Sequence, residues 1–381
     1  MTIYFTAALL LSLAYIVIIC IYINGWSALP EFPVPASFHP ATPLSIIVPA
    51  RNEAKNILPC LKSILQQDYP TELFEVIVID DHSTDETAQL VEGLEAPQLR
   101  LLKLAEHLKA GEHRAYKKKA IELGISQAKG QLILTTDADC IAPPQWLHLM
   151  AAFYEQKGCK FIAAPVNFYQ EQSLLESFQS LDFMGMMGIT GAGIHKGFMH
   201  MCNGANLAYE KAVFEEVGGF AGIDQLASGD DMLLMQKVAQ KYPGQLGFLK
   251  QAAATVLTPA APTLKAFLQQ RLRWASKSKA YSEWKITLIL ALVFFLCINI
   301  LLGVILFPFL GIGIIWPLLL QIGVKLLMDY LLLSRMSTFF NRSDLMRVFI
   351  PAQGLHLLYI AFIGAASNLI NQYQWKGRLT R

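Results

Sequence analysis

The sequence predicts an α/β domain with a mostly parallel sheet, held at a membrane by apolar spans, and three observations predict it. Between Thr42 and Pro262, continuous Ile/Val/Leu runs alternate with helical patterns, as expected for strands buried on both faces under covering helices. Outside that stretch, the runs Ile3 to Ile23, Ile286 to Phe307, Phe309 to Leu333 and Val348 to Ile370 each reach the about 20 residues needed to cross the hydrocarbon layer. Composition agrees. The 381 residues are 54% hydrophobic and only 16% charged, against roughly 25% charged in soluble domains.

Taken in order, residues 1–24 read as an N-terminal anchor, because the run lacks a basic start and is longer than the about 7–15 apolar residues of a signal peptide. Residues 25–42 read as a stiff linker punctuated by Pro30, Pro33, Pro35 and Pro40. The domain expected over 43–262 opens with strand Leu44 to Val48, a helix to Gln67, strand Phe74 to Ile79 and a helix from Thr84. Strand Leu99 to Leu102, a helix to Ala128 and strand Gln131 to Thr136 follow. Lys160 to Val166 reads as one buried strand, Gln172 to Met187 as a helix, and Gly191 to Gly197 as a flexible, glycine-spaced loop. Thr263 is a good N-cap for an interfacial helix over 263–285, followed by a transmembrane region over 286–370 and a basic tail over 371–381. Lys325 and Asp329, four apart inside a span, read as a structural ion pair.

The net charge of +2 gives no field for nucleic acid, so no nucleic-acid partner is expected. Six cysteines show no CxxC or Cys/His spacing, which argues against a disulfide framework or a zinc site.

The polar strand ends carry the chemistry. Pro49, Arg51, Asn52 and Glu53 follow the first strand, and Asp80, Asp81, Ser83 and Asp85 follow the second. Ser83 with Glu86 reads as a capping box. Asp80 and Asp81, in contrast, end an apolar strand and are costly there unless they bind something; carboxylates so placed suit a nucleoside base or ribose. Asp137 and Asp139 end the strand at Thr136, and a turn at Ala138 still lets both reach one ligand. Oxygen ligands suit Mg²⁺ or Mn²⁺ held jointly with a diphosphate. Ser228 and Asp231 open a helix as a near capping box, where two readings stand for Asp231, a helix cap or a general base. Gln270, Arg273 and Trp274 share one helix face, either an interfacial anchor or a diphosphate clamp. Of Lys117, Lys118 and Lys119, one is expected to reach a phosphate and two to be solvated, and Asn203 to Asn206 is either a sugar-pocket wall or an ordinary turn.

In this order, Pro49 to Glu53, Asp80-Asp81 with Ser83 and Asp85, Asp137-Ala138-Asp139 (DxD), Asp230-Asp231 and Gln270-Arg271-Leu272-Arg273-Trp274 (QxxRW) resemble the inverting family-2 glycosyltransferases of GT-A fold. That group includes polysaccharide synthases and ceramide-glucosyltransferase-like enzymes; the likeness spans Pro43 to about Lys277. The resemblance implies a Rossmann-like GT-A domain with one N-terminal and about three C-terminal transmembrane helices. It implies that Pro49, Arg51, Glu53, Asp80, Asp81, Lys117 and Asp137 bind the donor nucleotide and that Asp139 binds Mg²⁺ or Mn²⁺. Asp231, with Asp230, would be catalytic, and Gln270, Arg273 and Trp274 would meet the diphosphate and acceptor. Two departures stand out: Tyr116 replaces a usual Gly before Lys117, and Asp230 replaces a usual Glu.

The expected reaction moves a sugar from a nucleoside diphosphate sugar, uridine preferred, to a lipid or glycan acceptor in one inverting displacement. Single transfer to a lipid is favoured over processive synthesis because only three spans follow the domain, and a non-catalytic nucleotide-sugar-binding membrane protein or transporter has no use for Asp139 and Asp231 together. Bases at Arg271, Arg273, Lys277, Lys279 and Lys285, and at Arg335, Arg342 and Arg347, place the domain on the cytoplasmic face of an inner or plasma membrane. Lys376, Arg378 and Arg381 disagree with four complete spans, so one apolar stretch is expected to be re-entrant or interfacial.

Overall fold

In the computed structural model, residues 2–33, 38–108, 115–226, 228–281, 283–369, 373–375 and 378–380 are described. Lys376 and Arg381 of the expected basic tail lie outside them. The chain divides into two units: Met1–Leu29, Gln170–Met199 and Ala260–Tyr373 form the first, and Pro30–Tyr169, His200–Pro259 and Gln374–Arg381 the second.

The second unit is built on the unbroken apolar runs. Its strands are β1 (Leu44–Ala50), β2 (Phe74–Asp80), β3 (Leu99–Lys103), β4 (Leu132–Thr135), β5 (Phe161–Ala163), β6 (Val166–Tyr169), β7 (Leu207–Glu210), β8 (Leu246–Phe248) and β9 (Val256–Pro259). Seven of them form one sheet in the order β3-β2-β1-β4-β7-β5-β8, and β6 and β9 pair separately. The β1, β2, β3 and β4 neighbours run parallel, whereas β7 is antiparallel to both β4 and β5. The strands are in close register, with Ala50 opposite Asp80 and Ile47 opposite Thr135, so the carboxyl ends of β1, β2 and β4 form one polar edge.

The helices in chain order are α1 (Thr2–Ala28), α2 (Ile57–Leu65), α3 (Thr87–Glu92), α4 (Tyr116–Gln127), α5 (Trp146–Lys157), α6 (Leu174–His195), α7 (Lys211–Glu216), α8 (Met232–Lys241), α9 (Leu264–Ser276), α10 (Trp284–Leu310), α11 (Ile315–Phe339) and α12 (Phe349–Leu369). Gly124 lets α4 lie close on the sheet: a Cβ there would come 2.8 Å from Ile79 Cδ1 and 2.9 Å from Ile47 Cγ2.

Three expected elements differ. The strand expected over Lys160 to Val166 is two, β5 and β6, in separate sheets. Pro165 has no N–H for a ladder, and its carbonyl instead accepts from Val256 N and Asn206 Nδ2. The helix expected from Thr84 starts at Thr87, and the Ser83/Glu86 capping box does not form. Ser83 Oγ accepts from Asn52 N at 3.0 Å, Thr84 N donates to Asn52 Oδ1 at 2.8 Å, and Asp85 takes the Thr87 N–H at 3.0 Å. The expected Gly191 to Gly197 loop is largely helix, because α6 continues through Gly191 and Gly193 to His195. Small residues there admit close helix packing: a Cβ on Gly25 of α1 would sit 2.9 Å from Ala192 Cβ.

The first unit holds α1, α6, α9, α10, α11 and α12. Among the described residues, three helical stretches, Thr2–Ala28, Trp284–Phe339 and Ser343–Ser367, are long and apolar enough to cross a membrane. The second breaks at the 3-10 turn Gly311–Ile314, where Gly311 has φ +61°, into α10 and α11. Thr263 caps α9 as expected, accepting from Ala266 N at 3.2 Å.

Lys325 and Asp329 form the anticipated ion pair, at 2.5 Å and almost fully buried. Lys325 also donates to Gln353 Oε1 at 2.8 Å, and the Tyr15 hydroxyl donates to Asp329, so the pair ties α1, α11 and α12 together. Breaking a buried pair strands the other charge. Lys325→Met is therefore expected to destabilise the protein by about 3–5 kcal/mol, and Lys325→Met with Asp329→Leu to recover most of that loss, as read by thermal unfolding in detergent.

Candidate functional site

The edge after β1 and β2 is shaped by backbone exchange. Asp81 N donates to Ala50 O at 2.8 Å, which carries the β1–β2 pairing one residue past the strand. Arg51 Nη1 donates to the carbonyls of Asp81 at 2.7 Å and His82 at 2.8 Å, bracing a turn in which Asn52 and His82 have φ +52° and +54°. Pro49 is half-buried on β1, opposite Ile79. Glu53 is buried: its N–H donates to Thr87 Oγ1 at 2.8 Å and its carboxylate accepts from Asn56 Nδ2 at 2.8 Å. Asp80 accepts from Ser83 N at 3.3 Å, and Asp81 meets His82 Nδ1 at 2.9 Å. The His82 ring packs edge-on against Tyr116 at 5.5 Å, so the departure at Tyr116 places an aromatic wall beside Asp81.

A second group of acids gathers around Lys117 at the start of α4. Its ammonium lies 2.8 Å from Asp137 Oδ1 and 3.1 Å from Asp230 Oδ2. Burial opposes its charge, but Asp137 and Asp230 outweigh burial and hold the Lys117 pKa above its ordinary value. Asp231 stands beside Asp230. Its Oδ2 accepts from Gly204 N at 3.3 Å and its Oδ1 from Met232 N at 2.7 Å. The cap expected at Ser228 is thus Asp231 itself, because α8 starts at Met232 and Gly229, at φ +85°, turns the chain just before the acids. Thr135 Oγ1 donates to Gly204 O at 3.2 Å, tying that wall to the end of β4.

Asp137 and Asp139 do not continue the strand; Cys140 N donates to Asp137 O at 3.1 Å, closing a turn over buried Ala138. Ligand atoms of Asp137, Asp139 and Cys140 lie within 4.8 Å of one another. Burial first, and then the Asp139 and Asp137 carboxylates, raise the Cys140 thiol well above its ordinary pKa. The thiol is a soft donor, whereas the two half-buried carboxylates are hard oxygen donors of the kind that suits Mg²⁺ or Mn²⁺. Asp137 joins Asp139 in this set, whereas the resemblance implies Asp139 alone as the metal ligand.

Other polar residues have structural work. Asn206 is fully buried and ties Trp146 Nε1, Pro165 O and Ala254 O together, Asn203 Oδ1 accepts from Ala205 N as a turn, and Gly204 lies beside the acids. Lys118, expected to be solvated, is buried.

Gln270, Arg273 and Trp274 belong to the first unit, on α9, and all three are half-buried. The buried arginine of this helix is Arg271, which pairs with Asp182 at 2.9 Å and lies 4.4 Å from the Trp274 ring centre. Spacing four from buried Phe267 was the available signal for it. Trp274 also packs on Phe183, with ring centres 5.9 Å apart.

Residues 132–352 match the family described as Glycosyl transferase family group 2, and residues 45–218 match Glycosyl transferase family 2. A glycosyltransferase from Haloferax volcanii, AglE, is 29% identical over 50% of this chain and 59% of its own. An undecaprenyl-phosphate 4-deoxy-4-formamido-L-arabinose transferase from Photorhabdus laumondii is 30% identical over 32% of this chain and 36% of its own. The chain therefore spans only part of the length of these curated relatives. Among solved structures, the mannosyltransferase PcManGT from Pyrobaculum calidifontis, in complex with GDP-Man and Mn²⁺, is 18% identical with a TM-score of 0.56 over 96% of this chain and 99% of that one, a likeness of fold.

Proposed function

The chain belongs to glycosyl transferase family group 2, and on that footing we propose that it moves a sugar from a nucleoside diphosphate sugar, uridine preferred, to the hydroxyl of a lipid or lipid-linked acceptor, inverting the anomeric carbon in one displacement. The observation that carries the reading is the Lys117 bridge, which joins the DxD turn after β4 to the Asp230-Asp231 junction in one cluster. In this reading Glu53, Asp80 and Asp81 take the nucleoside, with Arg51 and Pro49 shaping the edge. Asp231 accepts the acceptor's proton as its oxygen attacks, with its carboxylate aimed by the Gly204 and Met232 N–H groups. A Mg²⁺ or Mn²⁺ ion on Asp139 and Asp137 supplies, when bound, Lewis-acid neutralisation of the departing diphosphate. Lys117 adds positive charge to the same place, and Asp230 holds Lys117 in position. Gln270, Arg273 and Trp274 are assigned to the diphosphate and acceptor by the resemblance of their motif.

The acceptor class rests on the apolar helices together with the relative named for undecaprenyl phosphate, and an inner or plasma membrane with the domain on its cytoplasmic face rests on the flanking bases. A panel of nucleotide sugars with the purified protein and native lipid extract, with and without Mn²⁺, tests the proposal: label from one donor should enter a single lipid product. Label that stays with every donor would sink it. Because Gln270-x-x-Arg273-Trp274 also resembles processive enzymes, product length is the second readout, and a ladder of lengthening products would replace single transfer with synthesis.

A further inference from the structure

We propose that Lys118 is a positioning residue for the reaction, a buried ammonium that pins the segment delivering Asp230 and Asp231. The inference rests on the reading of Asp231 as the base. Lys118 is 1% exposed, and its Nζ donates to the carbonyls of Ile223 at 2.5 Å, Leu226 at 2.8 Å and Ser228 at 3.0 Å. Burying an ammonium is costly unless its donors are satisfied, and three converging carbonyls meet that requirement. An ammonium carries three N–H donors, so one side chain can hold three separate residues of a loop; an uncharged residue of similar length cannot.

The placement couples two tasks in one helical turn. Consecutive residues on a helix project about 100° apart, so Lys117 reaches the carboxylates while Lys118 reaches the backbone that leads to them. The last pinned carbonyl, Ser228 O, is separated from Asp230 only by Gly229, which sits at φ +85°. On the far side, Asp231 caps α8. The junction is thus anchored at both ends, and at its near end by a cation rather than by regular secondary structure. The start of the same segment is held in the same manner: Lys237 Nζ donates to Gly219 O at 2.6 Å and Ala221 O at 3.0 Å, and Phe220 N donates to Glu122 Oε1 at 3.3 Å. Without Lys118 the glycine hinge at Gly229 is free to turn, and the Asp231 carboxylate loses its aim while the nucleoside edge after β1 and β2 is untouched.

The test uses the full chain in detergent or nanodiscs and compares Lys118→Met with wild type and with Lys119→Met as a neighbouring control. Since a shift of about 1 Å at a reacting group costs up to about 10²-fold, Lys118→Met is expected to lose about 10- to 100-fold in kcat with donor KM unchanged, at a temperature where its melting curve shows it folded; Lys119→Met keeps its rate. A folded Lys118→Met with wild-type kcat, or with a loss matched by a rise in donor KM, overturns the inference. If Lys118→Met does not fold, Lys118→Gln, which keeps two N–H donors, is read by the same criteria. Hydrogen exchange on wild type gives an answer that needs no variant: the amides of Ile223 and Leu226, bonded to Phe220 O and Ile223 O, should exchange slowly, and unprotected amides there overturn it. Asp231→Asn measured in parallel separates the two readings. Wild-type turnover in Asp231→Asn removes the base reading and this inference with it, whereas an inactive Asp231→Asn beside a fully active Lys118→Met overturns this inference alone.

Discussion

Asp231→Asn is expected to lower turnover by about 10²- to 10⁴-fold, the usual range for a general base, while the protein folds and binds donor as before. The substitution separates the cap from the base. Asn is as good an N-cap as Asp, so its side-chain oxygen can still accept from Met232 N and hold the start of α8. What it cannot do is take a proton. The loss should therefore appear in kcat, with donor KM and melting temperature near wild type. Activity within a few-fold of wild type would reassign the base. Asp230→Asn acts differently, because the Asp230 carboxylate pairs with Lys117 whereas that of Asp231 accepts from Gly204 N and Met232 N; a smaller loss in kcat is expected.

Asp139→Asn, and chelation of the wild-type protein, form the second large effect. The DxD turn offers two carboxylates, so replacing one by a neutral amide leaves only the Asp137 charge, which is already shared with Lys117. Metal neutralisation of a leaving diphosphate is worth several kcal/mol, and each 1.36 kcal/mol is tenfold in rate, so a loss of at least about 10²-fold is expected on either treatment. Added Mn²⁺ should restore the chelated wild type but only partly rescue Asp139→Asn. Direct Mn²⁺ binding, read by its paramagnetic resonance signal, should weaken in the variant independently of turnover. Full activity after chelation would remove the metal from the account.

The parallel core was readable because its signal is local: Ile46, Ile47, Val48, Val76, Ile77 and Val78 are buried on both faces and leave no alternation to misread. The polar strand ends were readable for the same reason, since Asp80 and Asp137 stand where an apolar run stops. What failed depended on partners distant in sequence. Ser83 looks like a cap until Asn52, 31 residues away, takes it into another turn. Gly191 and Gly193 look like a loop until α6 is seen to run on to His195, with Ala192 between them lying against Gly25 of α1. Of three consecutive lysines, none differs from the next in type, and only the fold assigns Lys117 to carboxylates and Lys118 to carbonyls. Arg271 and Arg273 present the same difficulty on α9, where the rings of Phe267, Trp274 and Tyr359 gather around the guanidinium that is buried, that of Arg271.

The most direct measurement is the anomeric configuration of the product, read by proton NMR as it forms from an α-linked nucleotide sugar chosen by the donor panel. A single displacement driven by Asp231 predicts a β-linked product from the first turnover. An α-linked product would mean two displacements or another route, and would contradict a catalytic role for the cluster around Lys117 as a single-displacement centre.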